Sequence, residues 1–140
     1  MHLLLGVVEL ASNKTSAART LFEKSIELEP EIIPARLLLA RIELAERRPK
    51  KAQSYFEEVL TIDSANEPAL IGLATLQAAE GNEQQAVKLL ERARETNPRG
   101  ARSRLMLAGH YLNKKMVAES RSIADELLEF APNDPQVLAL

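Results

Sequence analysis

The chain has 140 residues, 18 of them basic and 20 acidic for a formal net charge of −2, and it is 46% apolar but only 4% aromatic. Without cysteine it has no disulfide, thiolate metal site or cysteine nucleophile, although this leaves the compartment open. The near-balanced charge supplies no overall field for nucleic acid or an anionic membrane surface, and no apolar run reaches the roughly 20 residues that cross a bilayer.

In chain order, Leu4, Leu5, Val8 and Leu10 predict a helix over residues 1–12, closed by Asn13 at a position that tolerates positive φ. The opening apolar stretch has no basic region before it and continues in helical register, so it reads as helix and not as a signal peptide. Thr15 is expected to cap a second helix reaching about Leu28, with Ala18, Leu21, Phe22, Ser25 and Ile26 inward and Arg19, Glu23, Lys24 and Glu27 outward. Pro30 ends it. Pro34 suits the first turn of a third helix that passes Leu37, Leu38, Leu39, Ile42 and Leu44 to about Arg47. Pro49 opens a fourth, ending near Ile62, with Ala52, Tyr55, Phe56, Val59 and Leu60 inward.

Asn66 is expected to cap a fifth helix with Pro68 in its first turn, Gly81 to make the turn into a sixth, and Pro98 to follow that one. A seventh begins around Arg102 and passes Leu105, Met106, Leu107 and Tyr111 to a turn at 113–115. An eighth runs from Val117 to Phe130. Asp134 and Pro135 form a cap and first-turn pair, which predicts the start of a further helix over 136–140.

These elements recur with a stride of 34 residues and no gap. Ala86 steps to Ala52 and Ala18, Leu73 to Leu5, Leu39 and Leu107, and Pro98 to Pro30, Ser64 and Pro132. Such a period predicts an all-α solenoid, a superhelix of about four stacked helix-turn-helix units at 1–32, 33–66, 67–100 and 101–134. Neither end carries the polar outer face that a terminal unit needs. The array is therefore expected to be truncated at both ends, cut from a longer one, with a tendency to self-associate through the uncapped ends.

The two helices of a unit differ. The second is amphipathic, as with Lys51, Ser54, Glu57, Glu58 and Thr61 on one broad face. The first is apolar on two sides, with Leu39, Ala40 and Ile42 on one and Leu37 and Leu44 on another, so its second side must be covered or form a groove.

At this level the chain resembles the tetratricopeptide repeat, along its whole length. The small residue at the eighth position is Gly6, Ala40, Ala74 or Ala108, and that at the twentieth is Ala18, Ala52, Ala86 or Ser120. The aromatic of the twenty-fourth is Phe22 or Phe56, replaced by Leu90 and Ala124. The resemblance implies a right-handed superhelix that binds proteins. Departures are expected to have local costs. His2, Arg36, Leu70 and Arg104 at the fourth position and Glu9, Glu43, Gln77 and Tyr111 at the eleventh should be more solvated or looser than the family norm. The divergent fourth unit should fray first, and Arg47 and Lys115 should be costlier than Gly at a left-handed turn.

In this family the first helices line the concave surface. The family's groove positions fall on Leu3, Val7, Leu10 and Ala11, then on Pro34, Leu37, Arg41, Leu44 and Ala45. They continue on Pro68, Ile71, Thr75, Ala78 and Ala79, and on Arg102, Leu105, Gly109, Leu112 and Asn113. The expected partner site is therefore Leu37, Arg41, Leu44, Ile71, Thr75, Ala78, Arg102, Leu105 and Leu112, taking an amphipathic helix or apolar segment with Arg41 or Arg102 fixing an acidic residue. The Lys and Asn residues with which chaperone-binding members clamp a terminal carboxylate are missing. The alternative is a structural spacer whose groove is filled by its own parent chain. The run from Arg104 to the end further resembles repeats of large lipoproteins encoded with bacterial PEP-CTERM/exosortase and exopolysaccharide systems. That implies a periplasmic parent in envelope polysaccharide export or protein sorting, against a cytoplasmic one otherwise.

Other chemistry is not supported. Arg47, Arg48, Lys50 and Lys51 form the densest basic run, but it sits at a turn beside Glu43 and Glu46 without aromatic stacking residues, which reads as solvated charge and not as a nucleic-acid site. Arg99, Arg102 and Arg104 carry the same solvated reading, with recognition of acidic peptides as the alternative. His2 and His110 are too far apart to share a metal, and paired carboxylates such as Glu57 with Glu58 or Asp125 with Glu126 fall on outer faces. No phosphate loop, catalytic triad or cofactor motif is present, so a non-enzymatic scaffold is expected.

Overall fold

The computed structural model describes residues 1–130 as eight α-helices in sequence. They are α1 His2–Ala11, α2 Thr15–Leu28, α3 Ile33–Ala45, α4 Pro49–Ile62, α5 Glu67–Ala79, α6 Glu83–Thr96, α7 Ala101–Asn113 and α8 Val117–Phe130. The expected cap at Asp134 and the helix beyond it lie outside the described residues. Strong packing runs between successive helices, within and between the four pairs, giving an all-α superhelical array. None of the described helices is long and apolar enough to cross a membrane.

The turn inside each pair repeats the same geometry. Asn13, Arg47, Gly81 and Lys115, each 34 residues from the next, have φ of 60°, 58°, 85° and 60°. The residue after each donates its amide to a carbonyl five back, Lys14 to Glu9 at 2.9 Å and Arg48, Asn82 and Met116 to Glu43, Gln77 and Tyr111 at 2.8 Å. This hydrogen-bonded left-handed stop satisfies carbonyls that the helix end leaves open, and it turns the chain back on itself. At the start of α5, Asn66 accepts from the Ala69 amide at 3.0 Å, as its sequence position predicts. Thr15 makes no such cap; it is the first residue of α2, Lys14 holds the cap position, and no side chain caps that helix.

The core follows the array as three successive clusters. Ala18 and Phe22 of α2 pack on Ala35, Leu39 and Ile42 of α3. Ala40, Ala52, Phe56, Val59, Ala69, Leu73 and Leu76 join α3, α4 and α5; Ile71, Ala74, Ala86, Leu90, Leu107, Ala108 and Ile123 join α5 to α8. All the eighth- and twentieth-position residues are buried. Where the fourth pair has Ser120, its hydroxyl donates to the Ala108 carbonyl at 3.0 Å, so the helices cross as closely as the small residues imply.

Half of the fourth- and eleventh-position residues correct the sequence reading, while His2, Glu9, Gln77 and Tyr111 are half-buried. Arg36, Leu70 and Arg104 are 8%, 0% and 6% exposed, and Glu43 is 1% exposed, so these sites are core and not solvated. Arg36 donates to the Ile32 carbonyl at 3.0 Å and to Glu58 at 2.9 Å. Two strides on, Arg104 donates to the Gly100 and Asn97 carbonyls at 2.9 Å and to Glu126 at 3.1 Å. Each guanidinium gathers acceptors from the connection before its helix and from the next helix, which compensates its desolvation. Arg19, expected to point outward, instead reaches α3, where it pairs with Glu43 and bonds Glu46 at 2.7 Å.

Candidate functional site

The first helices of the second and third pairs face a shared trough of about 770 Å³. Its walls come from Pro34, Leu37, Leu38, Arg41 and Leu44 of α3 and from Pro68, Ile71, Gly72, Thr75 and Leu76 of α5, with Phe56 beneath and Arg102 at one end. Position in the 34-residue stride explains the arrangement. Leu37 and Ile71 occupy the same place in successive units, and alternate sides of each helix serve the core and the trough.

Six of the nine expected residues line this trough, namely Leu37, Arg41, Leu44, Ile71, Thr75 and Arg102. Ile71 is only 4% exposed, so it forms wall more than contact surface. Ala78, Leu105 and Leu112 do not line it. Ala78 and Leu112 are exposed and Leu105 is half-buried, because the trough spans α3 and α5 and only the first turn of α7 reaches it. Sequence reasoning missed Leu38, Phe56, Gly72 and Leu76. Gly72 was the available signal, since its counterparts are Leu4, Leu38 and Met106. A Cβ on Gly72 would stand 2.5 Å from Cζ of Phe56, so the missing side chain is what lets that ring lie against α5.

The trough has an uneven charge. No Asp or Glu lines it, and neither Arg41 nor Arg102 has an ion pair or hydrogen bond among the described residues. Arg102 stands where it does because α7 begins against α5: the Ser103 amide donates to Glu67 at 3.2 Å, and Gly100 leaves room for that carboxylate.

Outside the trough, several of the charges are paired. Arg48 contacts Glu43 at 3.3 Å and also Glu46, and Lys50 contacts Glu80 at 3.1 Å, so half of the basic run is matched by acids. Arg104, expected to be solvated, is instead buried. Glu126, expected on an outer face, accepts from both Arg94 and Arg104. The Arg94 hydrogen bond, reinforced by Arg104, holds the Glu126 carboxyl below its usual range. Burial raises the Tyr111 hydroxyl, which donates to Glu91 at 2.8 Å. His110 meets the Tyr111 ring edge-on with centroids 5.6 Å apart. Among the described residues no group of three His, Asp or Glu is placed to hold a metal.

A helical-hairpin solenoid with a trough along its first helices is the architecture of a repeat-built interaction domain. Family models of the tetratricopeptide repeat match residues 3–67, 43–99 and 77–140, and the chain belongs to that family. No curated protein matches it in sequence. Among solved structures, pilF of Pseudomonas aeruginosa superposes with a TM-score of 0.77 at 24% identity, over 97% of this chain and 62% of that one. MamA gives 0.70 at 16% identity, over 91% of this chain and 74% of that one. YrrB, described as a TPR protein with an unusual peptide-binding site, gives 0.69 at 20% identity, over 97% of this chain and 70% of that one. At these identities the likeness shows the fold.

Proposed function

We propose that the chain is a non-catalytic protein-interaction scaffold that takes an amphipathic helix or apolar segment of a partner protein in the trough between α3 and α5. The observation that carries this is the trough itself, about 770 Å³ with mostly apolar walls and Leu44 39% exposed at its edge. An apolar concavity of that size matches the groove into which a helix lays its i, i+3, i+4 and i+7 side chains. The peptide-binding site described for YrrB, on the same fold, supports the reading.

The test is titration with a helical peptide carrying leucines at that spacing. Leu44→Glu is expected to weaken binding by at least about tenfold, which corresponds to 1.4 kcal/mol, without changing helicity. Ala78→Glu, outside the trough, is expected to leave it unchanged. Equal loss in both variants, or in neither, would contradict the assignment.

Two finer points follow. The PEP-CTERM resemblance points to a role in envelope polysaccharide export or protein sorting. Self-association is favoured by α1, where Leu4 and Val8 are 69% and 52% exposed while their counterparts Leu38 and Ile42 pack against α2. Sedimentation should show concentration-dependent association that Val8→Glu removes; a monomer throughout would end that proposal.

A further inference from the structure

We propose that the trough selects an acidic partner segment, one that sets apolar side chains on the Leu37 and Phe56 surface and carboxylates against both Arg41 and Arg102. This rests on the reading of the trough as a partner site and adds which partner it accepts. Arg19, Arg36, Arg48, Arg94 and Arg104 each contact a carboxylate of the chain itself. Arg41 and Arg102, like Arg47, Arg92, Arg99 and Arg121 elsewhere, contact none among the described residues, but these two stand on the apolar trough, whose walls carry no acid to answer them. In a chain whose net charge is −2, this surface is locally inverted.

The physical consequence is discrimination. A ligand entering the trough removes water from around both guanidinium groups, and the apolar walls lower the local dielectric. A neutral segment leaves two cations with reduced solvation and no partner, while a basic segment adds repulsion to that loss. Carboxylates at both places convert the same desolvation into charge-assisted hydrogen bonds, with bidentate geometry open to each guanidinium. The two arginines lie on different units, Arg41 on α3 and Arg102 in the first turn of α7, and both line the one trough. The partner that fits carries acidic side chains flanking its apolar face.

Three helical peptides with the same leucine spacing, differing only in Glu, Gln or Lys at the polar positions, test this by fluorescence anisotropy. The Glu peptide is expected to bind at least about tenfold tighter than the Gln peptide, with the Lys peptide weakest. Arg41→Glu combined with Arg102→Glu should reverse the order of the Glu and Lys peptides, with helicity unchanged because Arg41 and Arg102 are both exposed. Arg121→Glu, an exposed change on α8, should leave the order as it was. Equal affinity for the Glu and Gln peptides would overturn charge selection while leaving the apolar groove standing. Binding of none of the three would overturn both, and a reversal by Arg121→Glu as well would reduce the effect to bulk charge and overturn the proposal.

Discussion

The carboxylate of Glu67 accepts a hydrogen bond from the backbone amide of Ser103, 36 residues later, at 3.2 Å. The first residue of α5 therefore caps the start of α7, and one unit fixes where the next begins. Gly100 makes this contact sterically accessible. Its φ of −67° suits any residue, but a Cβ there would collide with the Glu67 carboxylate. Gly100→Ala is thus expected to destabilise through displacement of the cap and not through backbone strain, at a cost of about 1 kcal/mol. For a chain of this size that is a fall in Tm of about 2–4 °C. Glu67→Ala should produce a similar fall, and adding Gly100→Ala to it should cost little more, because both act on the same contact. Fully additive losses would contradict the mechanism.

Ala86 is 6% exposed where α5 and α6 cross. Ala86→Leu forces those helices apart and is expected to cost about 1–3 kcal/mol by overpacking. An unchanged melting temperature would contradict the crossing geometry.

Acid should act on the junction of α6, α7 and α8. Glu126 is held below its usual range by Arg94 and then Arg104, so its contribution to stability is present above the unfolded carboxyl pKa of about 4.3. That contribution is lost as pH falls through the lower folded value. The Tm difference between the native sequence and Glu126→Gln is expected to be larger near pH 7, above the unfolded value, than near pH 3, where protonation is removing the contribution. Equal differences would remove the ion network from the account.

The left-handed turns offer a gain in stability. Arg47 and Lys115 hold φ near 60° with a Cβ, where Gly81 holds 85° without one. Arg47→Gly and Lys115→Gly are each expected to raise stability by up to about 1 kcal/mol, less the larger entropy that Gly brings to the unfolded chain. Asn13→Gly should change little, since Asn tolerates this conformation. Denaturant midpoints measure all three, and losses at Arg47 and Lys115 would show that their side chains contribute more than the turn costs.

Helix limits and turns were legible because each depends on residues close in sequence: Gly81 against its counterparts, Pro49 at a first turn, alanines at each crossing. The buried charges were not. Whether Arg104 is solvated or core depends on carbonyls of Arg94, Asn97 and Gly100 and on Glu126, which come together only after the pairs stack. Repeat position alone likewise equated Leu105 with Leu37 and Ile71, but the trough takes its walls from α3 and α5 and receives only Arg102 from α7. Gly72 was visible as an anomaly, and its meaning needed the Phe56 ring.

The central claim, that a partner lies between α3 and α5, is tested most directly by mapping backbone amide NMR shifts during titration with the Glu-bearing leucine helix. The account predicts changes concentrated on Leu37, Leu38, Arg41, Gly72, Thr75 and Arg102. Changes centred instead on the outward faces of α2, α4 and α6, with those amides silent, would contradict it.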